Sequence, residues 1–129
     1  LPELSIRKLA LIVICETPYE TRMHPWVEII NRKFSWATLP DDLRSADVVL
    51  NPQPPVGRFR FKSDNKTVIA QACGLPVVTD DPTDLDRYAT AEQRNAAAEE
   101  GLALVRTEFS VEQSVQQYKD ILRTYGIAA

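Results

Sequence analysis

Phe61 to Thr79, FKSDNKTVIAQACGLPVVT, reads as a helix, a tight stop and a strand, and the rest of the chain is arranged around it. Ser63 or Asp64 can cap the helix start. Val68, Ile69, Ala72 and Cys73 recur at three- and four-residue spacing and lay an apolar stripe along one face. Gly74 stops the helix where a positive φ costs little, and Pro76 follows at once. Leu75, Val77 and Val78 form a short apolar run, as expected of a strand covered on both faces. Polar residues gather at the helix start, Lys62 to Thr67, where free backbone N–H groups and two lysines make an anion site.

Upstream, Ile6 to Cys15 has a continuous apolar core and reads as a central strand. Glu16 to Arg22 is a polar loop at its carboxyl end. His24 to Phe34 places Trp26, Val27, Ile30 and Phe34 near one helical face, with Pro25 acceptable in the first turn. Ser35 to Leu39 reads as a second strand, Pro40 to Ala46 as a short helix and Asp47 to Asn51 as a third strand. Pro52 to Lys62, with Pro52, Pro54, Pro55, Gly57, Arg58 and Arg60, is an exposed basic loop. Downstream, Asp80 to Thr83 is a loop at the carboxyl end of the fourth strand, and Leu85 to Tyr88 a short helix. Thr90 to Arg106 is rich in helix formers, although Gly101 interrupts it and a strand at Leu102 to Val105 is the alternative. Ser110 to Tyr125 opens close to a capping box, with Gln113 three residues after Ser110. Its apolar face comprises Val111, Val115, Tyr118, Ile121, Leu122 and Tyr125.

Strands alternating with helices imply an α/β fold: a Rossmann-like parallel sheet of about four strands, helices on both faces, and a helical C-terminus. Ligands in such sheets bind outside the carboxyl ends of the strands. The polar loops at 16–23, 52–62 and 80–83 all fall on that edge.

At 129 residues, 44% hydrophobic and 26% charged, the chain is expected to form one soluble domain, 1–129, with a real core. A net charge of −3 argues against general nucleic-acid binding. No apolar run approaches the roughly 18–20 residues of a membrane span. Leu1-Pro2-Glu3 does not open like a secretory signal, so a cytoplasmic location is expected. Cys15 and Cys73 sit in apolar segments and read as reduced core cysteines. With one histidine, His24, and no CxxC pair, no metal site and no cofactor are expected.

ADVVLNP (46–52), KSDNK (62–66), AQACGLPVVTDDP (70–82) and FSVEQSVQQYKDIL (109–122) together resemble the nucleotide-binding C-terminal domain of GT-B glycosyltransferases of the group 1, family 4-like kind. The resemblance covers residues 46–125, and 1–45 by pattern alone. It implies glycosyl transfer from a sugar nucleotide, a UDP-, GDP- or dTDP-sugar, to an unknown acceptor, with an N-terminal acceptor-binding domain as partner. The donor diphosphate would lie at Lys62, Ser63, Asn65 and Lys66, with Arg58 and Arg60 as further donor contacts. Many members carry two glutamates before the GLPVV-like strand; the matching positions here are Phe61 and Ile69. That departure supports an alternative, a non-catalytic binding or assembly module that kept the fold, and the isolated chain is expected to be inactive.

No residue is assigned a catalytic role. Asp80 and Asp81 have the chemistry of an acid–base pair, but Asp-Asp-Pro is also ordinary turn sequence. His24, before Pro25, reads as structural. Trp26 and Trp36 read as core. A phospho-receiver domain would need an acidic pair after the first strand and an aspartate ending the third, where the chain has Glu16-Thr17 and Asn51.

Overall fold

The structure, a computed structural model, describes residues 9–22, 27–53, 57, 63–79 and 82–128. The chain is mixed α/β and divides into two compact units, Leu1–Asp47 and Val48–Ala129.

In the first unit, β1 (Ala10–Cys15) pairs in parallel with β2 (Glu28–Lys33), in a register running from Ala10 opposite Glu28 to Cys15 opposite Lys33. Residues 16–27 make the connection, about the dozen residues that a parallel crossover needs. The helix expected over His24 to Phe34 is therefore corrected to a strand over Glu28–Lys33. Its β-branched Ile29 and Ile30 fit a pleated surface, and the open edge of β1 offers hydrogen bonds that a helix there would forgo. Asn31 fastens the loop after β1: its Oδ1 accepts from Tyr19 N at 2.8 Å and its Nδ2 donates to Tyr19 O at 3.0 Å.

The strand expected over Ser35 to Leu39 is a turn. Ser35 O accepts from Thr38 N and Leu39 N, and Ser35 Oγ accepts from Ala37 N, a local bonding pattern that competes with strand pairing. The short helix α1 (Leu39–Arg44) follows, with proline in its first turn. Arg32 ties it to β2 by donating from Nη1 to Asp42 Oδ1 at 3.1 Å and to Ser45 Oγ at 2.7 Å. Trp36 packs edge-to-face on Phe34 with ring centroids 5.0 Å apart, yet it is 72% exposed, so it is not a core residue. Cys15 is exposed and Cys73 half-buried, both free, so the expectation of core cysteines fails at Cys15. Trp26 and His24 lie outside the described residues.

The second unit is built on a short parallel pair, β3 (Val49–Leu50) and β4 (Val77–Val78). Their bonding continues past β3: Asn51 N donates to Val78 O at 2.9 Å and Gln53 N to Thr79 O at 3.0 Å. Between the strands lies α2 (Asn65–Ala72). Gly74, at φ 78°, ends it: Gly74 N donates to Gln71 O and Leu75 N to Ala70 O, the paired bonds of a Schellman stop. Ala70, Leu75 and Val78 are buried.

A 3₁₀ segment (Pro82–Tyr88) leads to α3 (Ala91–Glu108) and α4 (Val111–Thr124). α3 runs unbroken through Gly101, so the strand alternative at Leu102 to Val105 is excluded. Gly101 is buried against α2: a Cβ there would sit 3.1 Å from Gln71 Cγ. The glycine thus marks close helix–helix approach, not a break. Among the described residues the parallel strands occur as two separate two-stranded sheets.

Candidate functional site

The carboxyl end of β3 and the start of α2 meet at one polar edge of the second unit. Asn51, the first residue beyond β3, exposes only 9% of its surface. Its Nδ2 donates to Thr67 Oγ1 at 3.0 Å, so the strand end holds the first turn of α2. A buried amide needs such a partner, and this bond fixes where the helix tip stands.

Ser63, Asp64, Asn65 and Lys66 are all exposed at that tip. Asp64 takes the cap position with φ −80° and ψ 16°, and its carboxylate makes no capping bond. The capping role expected of Ser63 or Asp64 is therefore not realised by Asp64. The contrast lies within the same unit. Thr90 and Ser110 have extended backbones and accept from the backbone N–H of Gln93 at 3.2 Å and of Gln113 at 3.1 Å. At Asp64 the backbone is closer to helical, and the side chain is poorly placed to turn back onto the first N–H groups. The first turns of α1, α3 and α4 carry Asp41 and Asp42, Glu92 and Glu112; that of α2 has no acid and carries Lys66.

A cation at a helix N-terminus opposes the helix dipole by about 0.3–1 kcal/mol. An external anion would relieve that opposition and accept from the uncapped N–H groups. The structure thus brings together three of the residues singled out for a diphosphate, Ser63, Asn65 and Lys66. Lys62, Arg58 and Arg60 lie outside the described residues, as do Asp80 and Asp81. The Asn51–Thr67 bond was missed by the sequence reading, although a polar residue ending a strand and a threonine in the next helix's first turn were both visible.

A cavity of about 200 Å³ lies at the opposite edge, around the start of β4. Gln71, Leu75, Val77, Tyr88, Glu100 and Leu104 contribute to its lining. It is smaller than the roughly 300–1,000 Å³ of ligand pockets and stands apart from the helix tip. Among the described residues no group of histidine, cysteine and carboxylate side chains could hold a metal ion. Nor is any helix among them long and apolar enough to cross a membrane. No protein-family model, curated protein or solved structure matches the chain.

Proposed function

We propose that the second unit binds the diphosphate of a sugar nucleotide at the start of α2, as the donor-binding part of a glycosyltransferase whose acceptor-binding domain is separate. The observation that carries this reading is the first turn of α2, which makes no side-chain cap bond, has no acid beyond the cap residue Asp64 and carries Lys66 exposed. Backbone N–H groups of that turn would donate to the phosphate oxygens, Ser63 and Asn65 would donate from their side chains, and Lys66 would neutralise charge. In glycosyl transfer the diphosphate leaves with its negative charge, and fixed donors and a cation at that point lower the barrier. The proposal includes a Rossmann-like sheet of four strands, for which parallel pairs are the building elements, and a cytoplasmic setting.

A specific observation supports a second reading, a binding module without transfer activity. Ile69, at a position where the resembling family often carries a glutamate, is a half-buried apolar side chain on α2. The protein then holds a nucleotide and turns nothing over.

Calorimetric titration with UDP, GDP and dTDP tests both. Binding of at least one is expected, and Lys66→Ala should weaken it at least tenfold, about 1.4 kcal/mol. In a melting experiment, ligand at a hundred times its Kd should add about 2.7 kcal/mol. If none of the three binds, the donor-site reading falls. Binding that Lys66→Ala leaves unchanged moves the site away from α2. Binding without hydrolysis or transfer of the matching sugar nucleotide, tested with the acceptor-binding domain present, selects the second reading.

A further inference from the structure

α4 carries a continuous exposed apolar face. Val111 is 75% exposed, Tyr118 70% and Tyr125 78%, and Val115, Ile121 and Leu122 are all on the exposed side as well. No residue of the helix is buried. Val111, Val115, Tyr118, Leu122 and Tyr125 repeat at alternating spacings of four and three, the 3.5-residue period of a coiled-coil seam. The stop at Gly126 extends the face: Gly126 N donates to Arg123 O and Ile127 N to Leu122 O, each at 2.9 Å, which folds Ile127 back beside the seam.

We propose that this face pairs with the same face of a second copy of the chain, the two α4 helices running antiparallel. Charge selects the arrangement. Asp120 is engaged on the polar side, with Gln116 at 2.8 Å and Arg123 at 3.3 Å. The other charged residues of the helix, Glu112 and Lys119, make no ion pair among the described residues, and both stand beside the seam on the same flank, seven residues apart. An antiparallel pair joins equal flanks. With Val115 layered on the partner's Tyr118 and Leu122 on the partner's Val111, each Glu112 faces the partner's Lys119, twice per dimer. A parallel pair would set Lys119 beside the partner's Ser114 and offers no opposite charges.

The area fits a second copy of the same helix. At about 150–250 Å² per aromatic side chain and about 60–120 Å² per aliphatic one, the uncovered part of the face is roughly 400–700 Å². Two such faces bring the total to about 1,000 Å², the floor of a specific interface. A patch of roughly this size stands at the upper end of what monomers leave in water, where such patches often mark an interaction surface. The dimer is therefore expected to form and dissociate with concentration.

Sedimentation equilibrium of the intact chain over about 1–500 μM should give a monomer–dimer equilibrium. Tyr118→Glu should leave a monomer of unchanged circular dichroism, since Tyr118 is 70% exposed. Glu112→Lys should raise the dimer Kd about three- to tenfold, and Glu112→Lys combined with Lys119→Glu should bring it back, as facing charges exchange signs. A chain that stays monomeric throughout, a dimer indifferent to Tyr118→Glu, or a double reversal that fails to restore affinity would each overturn the proposal.

Discussion

Helices α3 and α4 follow one another along the chain and use their side chains in opposite ways. α3 is an alanine-rich helix of weak amphipathic contrast, yet Arg94, Ala97, Ala98, Gly101, Leu102 and Val105 form a covered stripe along it. α4 has strong contrast between its faces, and none of its residues is buried. Small residues let α3 approach α2 closely, and backbone proximity does what large side chains do elsewhere. Amphipathic pattern therefore identifies a helix that needs a partner without saying whether the partner lies in the same unit, and here the helix with the clearest pattern is the one left bare.

The widest separation between the two helices should come from truncating side chains that differ only in what surrounds them. Leu75, 7% exposed, lines the small cavity together with residues of α3. Leu75→Ala should cost about 2–5 kcal/mol of unfolding free energy. Val115→Ala, on a side chain that is 46% exposed, should cost less than about 0.5 kcal/mol at dilute protein concentration, where chains are monomeric. Urea denaturation followed by circular dichroism measures both. Equal losses would mean that α4 is packed as firmly as the β4 region, and the contrast would collapse.

A smaller effect is expected at the contact that makes α3 different. Gly101→Leu would place a branched side chain where even a Cβ meets Gln71 Cγ at 3.1 Å. Overpacking of this kind costs about 1–3 kcal/mol, part of which the better helix propensity of leucine offsets, by up to about 1 kcal/mol. Gly101→Ala should fall within about 1 kcal/mol of the parent, because the flexible Gln71 side chain can move while the helix gains. If the leucine variant is as stable as the alanine one in the same denaturation experiment, α3 does not lie close on α2.

These contrasts also explain what the sequence could tell. The helix at Asn65–Ala72, its stop at Gly74, the helices beginning after Thr90 and Ser110 and the stop at Gly126 are governed by bonds within five residues, and their signals stand side by side in the chain. β2 is different. Its identity depends on β1, whose residues lie eighteen positions away in the register, and the apolar spacing of residues 26–34 fits a helix as well as a strand. Trp36 misled for a related reason, since an aromatic flanked by a turn can stack on one neighbour and remain in water. At the candidate site, the clustering of Ser63, Asn65 and Lys66 was legible because they adjoin one another. The failure of Asp64 to cap was not, because it depends on a backbone angle. The hold of Asn51 on Thr67 was hidden by the sixteen residues that separate them.

The finest comparison is between the caps of the two helices. Thr90 and Gln93 bond reciprocally: Thr90 Oγ1 accepts from Gln93 N, and Gln93 Oε1 accepts from Thr90 N at 3.0 Å. Ser110 accepts from Gln113 N alone, half of the same motif. Thr90→Ala should lower the stability of the second unit by about 1 kcal/mol, because α3 unfolds together with the elements it packs against and a loosened end is felt by all of them. Ser110→Ala removes a bond of similar length, but no residue of α4 is buried, so its first turn can fray while α2, β4 and α3 stay folded. The denaturation midpoint should then move by no more than about half as much as for Thr90→Ala, while the helical signal of the native protein falls. Amide exchange separates the two cases directly. In dilute monomer, α4 should exchange through local opening with protection well below that of α3, and Ser110→Ala should lower it further without touching α3. Raising the concentration until α4 pairs with a second copy should bring its protection toward that of α3. A helix that is already as protected in the monomer as α3 would show that exposure of its apolar face does not leave it free to open.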